Sequence, residues 1–277
     1  MANNATYQAP KGTEDLYGER AQAWEHLQRV AAEVFSRYGY RPLYTPVFEA
    51  TELFSRGIGT ATDVVNKEMY TFKDRAGRKL TLRPENTAGV VRAAIEKNLL
   101  GEGGVAKLYY AGPMFRYERP QKGRQRQFYQ LGAEALGVTL PEADAEMILM
   151  LWEYFCELTL PQQRMQLLIN SMGCPQCRPA YRKELARYLG AHKEELCEDC
   201  QKRTRTNPLR TFDCKKPACR KVLAAAPKIA DALCRDCAEH EARLERLLDG
   251  AGLIYRLEPT LVRGLDYYTR TVFEIQV

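Results

Sequence analysis

No apolar run in the sequence approaches the ~18 residues that a membrane span requires, so a transmembrane role is not expected. The opening segment, MANNATYQAPKG, lacks a charged region followed by an apolar stretch, and no secretory signal is visible. Internal repeats and low-complexity tracts are also missing. With no visible route to an oxidising compartment, the nine cysteines are expected as free thiols or metal ligands rather than disulfides. These absences point to a soluble cytoplasmic protein. What remains is a chain of 277 residues, 45% apolar and 27% charged, enough for one large domain or two ordinary ones. A net charge of +6 permits a polyanionic partner without requiring one.

Periodicity organises the chain. Trp24, Leu27, Ala31, Val34, Phe35 and Tyr38 recur at helical spacing, which predicts a helix over 20–38 stopped by Gly39. YRPLYTPVF reads as a strand whose Pro42 and Pro46 suit a sheet edge. MYTFKDRAGRKLTLR reads as a hairpin turning at Gly77, followed by a helix over 86–100. Residues 107–136 form a second hairpin, and a helix over 142–158 and the strand RMQLLIN come after it. From Gly173 to about Gly250 the pattern is helical and rich in Cys, Lys and Arg; strand character then returns in IYRLEP and YYTRTVFEIQV. Strands on both sides of such a block predict an α+β sheet domain interrupted by an inserted helical module.

The second hairpin contains FRYERPQKGRQRQFYQ. Side chains alternate faces along a strand, so Phe115 and Tyr117 share one face with Tyr129, Leu131 and Ala133. The other face is expected to gather Arg116, Glu118, Phe128, Gln130 and Glu134, with Phe128 as an exposed ring. That set suits a ligand carrying a phosphate, a flat base and an ammonium group. The loop between the arms bears Arg119, Lys122, Arg124 and Arg126 and suits a polyphosphate or a nucleic acid. A plainly solvated charged face is the alternative. Two further stretches weigh against it: TLRPENTAGVVRA, with Glu85 and Thr87 at a strand-to-helix turn, and LVRGLDYYTRTVFE, with Arg263, Asp266, Tyr267 and Tyr268. Thr87 can equally be a simple helix cap, and the paired tyrosines simple sheet packing.

Eight cysteines fall in four pairs: Cys174 and Cys177, Cys197 and Cys200, Cys214 and Cys219, Cys234 and Cys237. Their spacing matches tetrahedral zinc sites, in which one turn presents two thiolates and two turns complete the shell. Four pairs combine two and two in three ways, and spacing does not choose among them. Small buried residues of a helical insertion are the other reading; Cys156, outside the block, is expected in the core. The stretch QKRTRTNPLRTFDCKK between the second and third pairs is strongly basic, either a solvated helix end or a phosphate-binding surface.

TLRPENTA, FRYERPQKGRQRQFYQLGAE and LVRGLDYYTRTVFE together resemble histidyl-tRNA synthetase, a class II aminoacyl-tRNA synthetase. The resemblance covers the first 170 residues and about the last 20, and RGLDYYT is its most specific part. It implies a class II antiparallel sheet flanked by helices, working as a homodimer. Residues 1–170 then form the N-terminal part of the catalytic core, 171–252 the cysteine-rich insertion, and 253–277 the core continued. The first helix and the strand to Pro46 resemble the motif at the dimer interface. The implied substrates are L-histidine, ATP with Mg2+, and tRNA(His), with structural zinc added by the cysteines.

Residue by residue, the resemblance gives Arg116 and Arg263 the α-phosphate as catalytic residues. It gives Glu118 and Phe128 the adenine, and Glu85, Thr87, Gln130, Glu134, Tyr267 and Tyr268 the histidine. Arg119 and Gln121 match residues that touch the acceptor end of the tRNA. In the family the insertion reaches over the acceptor arm, which implies phosphate contacts from Lys202, Arg203, Arg205 or Arg210. Asn86 and Tyr129 depart from the pattern, standing where glycine and histidine are common. The family also continues past RGLDYYT into a glycine-rich strand, a third motif with an ATP-binding arginine, and an anticodon-binding domain. The sequence to Val277 contains none of these, so a truncated core with impaired aminoacylation is expected. A non-catalytic histidine-binding regulatory paralogue and a zinc-stabilised RNA-binding protein are the alternatives.

Overall fold

A computed structural model describes residues 7–58, 68–118, 123–263 and 268–277. It divides into two compact units, Met1–Val138 and Thr139–Val277.

In the first unit, α1 (Glu19–Arg37) buries Val30, Ala31, Val34 and Phe35, a stripe at the spacing that lines one helix face. Gly39, at φ +82°, takes the left-handed conformation that ends the helix region. The expected strand YRPLYTPVF is two short ones, β1 (Arg41–Pro42) and β2 (Phe48–Ala50), in different sheets. Both are edge strands, where a proline without an N–H is tolerated. A helix not read in the sequence, α2 (Thr51–Ile58), follows β2. The first hairpin is β3 (Thr71–Lys73) and β4 (Lys79–Leu82), antiparallel, with β2 on the other side of β4. Helix α3 (Thr87–Glu96) is shorter than expected, and Asn98 lies just past its end at φ +48°.

The second hairpin pairs β5 (Ala106–Phe115) with β6 (Gln127–Leu136) in the register Met114↔Phe128, Gly112↔Gln130, Tyr110↔Gly132 and Leu108↔Glu134. β1 runs parallel to β5 on its free edge. One face meets α1, where Tyr129 packs on Trp24 and Tyr109 edge-on to Phe35. The other face was expected to be polar and is partly core: Ala106, Leu108, Tyr110 and Met114 are buried there with Val90. Phe128 packs half-buried against the same cluster rather than standing exposed. The sheet is thus covered on both faces, and polar groups occupy only the part of the second face that apolar side chains leave open.

In the second unit, β7 (Gln166–Ser171) lies between β8 (Tyr255–Leu257), parallel, and β9 (Thr271–Gln276), antiparallel. Leu167 and Ile169 pack with Ala145 and Ile148 of α4 (Pro141–Glu157) and with Leu244 and Leu248 of α8 (Arg235–Gly250). Leu168 joins a second cluster with Tyr181, Leu185 and Leu189 of α5 (Arg178–Ala191) and with Val222 and Leu223 of α7 (Pro217–Ala224). Alternate residues of one strand therefore feed two cores, which accounts for its unbroken apolar run. Parallel neighbours need a long crossover, and here the cysteine-rich segment, including α6 (Glu198–Thr206), is the connection from β7 to β8. Cys156, expected in the core, is half-buried near the end of α4, within 3.4 Å of Gln162 Nε2. No helix among the described residues is long and apolar enough to cross a membrane.

Candidate functional site

The polar part of the first unit gathers where β4 runs into α3. Glu85 is buried, and its carboxylate accepts the backbone N–H groups of Thr87, at 2.6 Å, and Ala88, at 3.1 Å. It therefore caps α3, where the helix dipole favours a negative charge. That frees Thr87 from the capping role: its hydroxyl donates to Glu134 Oε1 at 2.8 Å, across to β6. Burial holds the Glu134 carboxyl up at about 7, with the Glu85 charge adding to the rise and hydrogen bonds from Thr87 and Tyr110 opposing it. Two carboxylates thus share one polar enclosure.

Arg83, which no local sequence pattern marks, braces this corner. Its Nε donates to the Pro113 carbonyl at 2.9 Å, and Nη1 reaches the Thr45 carbonyl and hydroxyl at 3.2 and 3.1 Å. A Cβ at residue 112 would lie 2.5 Å from Arg83 Nη2, which explains Gly112 on the strand beside it. Gly132 makes the same kind of room for the Tyr110 ring, whose atoms would come within 2.3 Å of a Cβ. Asn86 accepts from the Thr45 hydroxyl at 2.5 Å, while its buried Nδ2 has no acceptor among the described residues.

Further along the same face, Arg116 Nε donates to the Pro84 carbonyl at 2.8 Å, and its guanidinium lies 5.1 Å from the Phe128 ring centroid. The terminal nitrogens of Arg116 have no partner among the described residues. Gln130 stands on this face opposite Gly112, between Phe128 and Glu134. Glu118 is held by Arg124 at 2.8 Å. The structure therefore brings Glu85, Thr87, Glu134, Gln130, Arg116 and Phe128 onto one corner and face.

In the second unit, Arg263 Nη2 donates to the Phe273 carbonyl at 2.5 Å, and its guanidinium lies 5.9 Å from the Tyr268 ring centroid. Its Nε is buried without an acceptor among the described residues, an arrangement that favours an incoming anion. Asn170 fixes the approach by donating to the Leu261 carbonyl at 2.9 Å. Arg119, Gln121, Asp266 and Tyr267 lie outside the described residues. Of the basic run, Arg203 reaches the Arg210 carbonyl at 3.1 Å, whereas Lys202 and Arg205 line a shallow concavity of about 380 Å³ with Lys193.

The eight paired cysteines close into two quartets, Cys174, Cys177, Cys234 and Cys237, and Cys197, Cys200, Cys214 and Cys219. Of the three combinations open to the sequence, the fold takes the nested one, outer pair with outer and inner with inner. All eight are free thiols. Sγ separations of 3.6 Å for Cys174 and Cys234, 3.7 Å for Cys174 and Cys177, and 3.9 Å for both Cys177 with Cys237 and Cys197 with Cys214 fall in a narrow range. Four sulfurs about 2.3 Å from a tetrahedral centre would stand roughly 3.8 Å apart. Cys177, Cys197 and Cys234 sit at the N-caps of α5, α6 and α8. The Cys174 thiol is lowered to about 6 by the backbone N–H groups of Cys177 and Gln176, and Cys197 to about 7, chiefly by that of Cys200. Burial pushes Cys200, Cys219 and Cys237 up. Each quartet can hold a metal ion.

The fold is shared with solved structures. Apo Staphylococcus aureus histidyl-tRNA synthetase is 36% identical, with a TM-score of 0.73 over 97% of this chain and 61% of that one. Residues 12–277 match the family model for histidyl-tRNA synthetase. A histidine–tRNA ligase of Desulfitobacterium hafniense (strain DSM 10664 / DCB-2) is 50% identical over 270 residues, 98% of this chain and 63% of that protein. Another, from Solidesulfovibrio magneticus, is 55% identical over 266 residues, 96% and 62% of the respective lengths. The chain belongs to the histidyl-tRNA synthetase family. It spans about 63% of the length of the curated relative from D. hafniense.

Proposed function

We propose that the chain is the catalytic core of a histidine–tRNA ligase, which activates L-histidine with ATP and passes the histidyl group to tRNA(His). The observation that carries this reading is the corner where Arg116, Phe128, Glu85, Thr87 and Glu134 meet on one face. Arg116, anchored through Nε, turns its terminal nitrogens to the α-phosphate of ATP, and Phe128 stacks on the adenine, with Glu118 taking the adenine amine. Glu85, Thr87, Gln130 and Glu134 receive the amino end of histidine. A cationic ligand there draws the proton from Glu134, because an adjacent positive charge favours the carboxylate. Arg263 supplies a second cation for the phosphate and carboxylate, and Tyr267 and Tyr268 line the histidine pocket.

In the first step the histidine carboxylate attacks the α-phosphorus, and pyrophosphate leaves from the magnesium complex of ATP. In the second, the terminal ribose hydroxyl of the tRNA attacks the activated carbonyl and AMP leaves. Neither step needs a side-chain nucleophile; the chain contributes positioning and charge stabilisation.

Residues 171–252 act as a module inserted into the core, with two structural zinc ions in the cysteine quartets. Zinc there closes shells whose thiolates and spacing suit it, and it takes no part in the chemistry. Arg119, Gln121, Lys202 and Arg205 meet the tRNA phosphates. Exposed Tyr44, Phe48 and Phe72 support a homodimer, and the location is the cytoplasm.

Histidine-dependent exchange between ATP and pyrophosphate tests the reading, at a rate expected below that of a full-length relative. R116A is expected to cost roughly a hundredfold or more, the scale of one lost charge-stabilising donor. No exchange despite histidine binding points to the regulatory paralogue instead.

A further inference from the structure

The outer cysteine quartet and the segment that leads into β9 are tied together by one side chain, Arg178. It is the first residue of α5, directly after Cys177. Its Nε donates to the Met172 carbonyl at 3.1 Å and its Nη2 to the Gly173 carbonyl at 3.4 Å and to the Tyr268 carbonyl. The backbone makes a second tie at the same place: Arg270 N–H donates to the Gly173 carbonyl at 2.8 Å, and Met172 N–H to the Arg270 carbonyl at 2.6 Å. Gly173 sits at φ +61°, and a Cβ there would stand 2.8 Å from Cys177 Sγ, so the chain is drawn tight against the quartet. Arg270 itself is in the left-handed region at φ +55°, a conformation that non-glycine residues hold only when neighbours impose it.

We infer that the outer quartet, through Arg178, positions the tyrosine segment at residues 268–270, so that metal occupancy of that quartet and histidine binding are coupled. A metal bound by Cys174, Cys177, Cys234 and Cys237 fixes the first turn of α5 and the start of α8. The guanidinium is then aimed at three carbonyls at once, one of them that of Tyr268. Metal loss frees the first turn, and the charge-assisted hydrogen bond to Tyr268 goes with it. The inner quartet meets Tyr268 through apolar packing, since its four cysteines and Tyr268 share one cluster, whereas the outer quartet reaches the Tyr268 backbone through the hydrogen bonds of Arg178; the inner site holds the module together, and the outer one also sets the backbone geometry of Tyr268. Arg178 is a positioning residue, acting through the Tyr268 backbone. The histidine-binding consequence rests on the function proposed above; the mechanical tie does not.

The test is amide hydrogen exchange on the full zinc-loaded chain, read in peptides covering residues 268–273. R178M is expected to speed exchange at the Arg270 amide by about tenfold, the scale of one lost charge-assisted hydrogen bond. C174S/C177S, which empties the outer quartet, is expected to do the same. C197S/C200S, which empties the inner one, speeds those amides less, because it leaves the Arg178 hydrogen bonds in place, and R178K restores part of the protection. Unchanged exchange in R178M, or equal acceleration by inner and outer cysteine variants, overturns the inference. Calorimetric titration supplies the functional arm: R178M weakens histidine affinity about tenfold while MgATP affinity stays within about twofold, again the scale of one such bond. If the parent chain binds no histidine, the proposed function falls, and the exchange result alone decides the mechanical tie.

Discussion

The hydroxyl of Thr87 donates to Oε1 of Glu134 across a sequence separation of 47 residues. This bond joins the start of α3 to β6 near its C-terminal end, and it exists because Glu85 has already taken the N–H groups at the helix end. The consequence is an enclosure in which one carboxylate is satisfied by the backbone while the other is buried, with its proton affinity raised. Such a site favours a cationic ligand, since a positive charge entering it relieves the cost of ionising Glu134.

The raised Glu134 carboxyl makes stability pH-dependent with a definite sign. Held at about 7 in the fold against 4.5 for a free glutamate, it binds a proton in the native state that the unfolded chain has already released. Its contribution is fully present below about pH 4.5 and is lost as pH rises to about 7. E134Q removes this term. Denaturation of parent and E134Q across pH 4 to 8 should show the variant gaining on the parent with rising pH, by a total on the order of 3 kcal/mol. A pH-independent difference would contradict the burial of an ionisable group at this position.

Glu85 is predicted to act twice, as a helix cap and as a like charge. E85A should lower stability by about 1–2 kcal/mol, the scale of a lost cap. E85Q keeps an acceptor oxygen but loses the charge, so Glu134 should titrate lower in that variant. Carbon-detected NMR of the Glu134 carboxyl reads this directly, and an unmoved titration would remove Glu85 from its surroundings.

Gly132→Ala places a methyl group against the Tyr110 ring, on the strand that carries Glu134. Overpacking of this kind costs about 1–3 kcal/mol. Denaturant titration checks it, and a variant as stable as the parent would mean that Tyr110 lies elsewhere.

The nested pairing of cysteines makes a prediction in metal stoichiometry. The purified chain should carry two zinc equivalents by mass spectrometry, and chelation should lower its melting temperature, because metal binding and module folding are linked. C174S/C177S should lose one equivalent, and adding C234S/C237S should cost no more metal. Combining C174S/C177S with C214S/C219S should abolish both sites. Any other pattern contradicts the pairing.

How much of this was legible in the sequence follows from the range of the interactions. Period-two alternation and the turn at Gly77 are local, and the hairpins they predict are present. Alternation alone places Phe128 with Gln130, and the pairing register adds Arg116 to their face. The role of Arg83 is not legible locally, because its partners, Thr45 and Pro113, are 38 and 30 residues away and an arginine beside a proline carries no local mark of burial. The pairing of Cys174 with Cys234 spans 60 residues, and pair spacing holds no information on it. Phe128 was expected to be exposed because its neighbours are polar, yet Val90 and Met114 cover part of that face from other elements. Local chemistry thus identified the candidate residues, while burial and partnership depended on contacts that only the fold supplies.

The proposed function requires one site that takes histidine and ATP together. Its most direct test is a thermal-shift measurement with histidine, MgATP, and both. The two together are expected to stabilise the chain by more than the sum of their separate effects, and R116A to remove the synergy. Stabilisation by histidine alone with no response to MgATP, or no response to either, would contradict it.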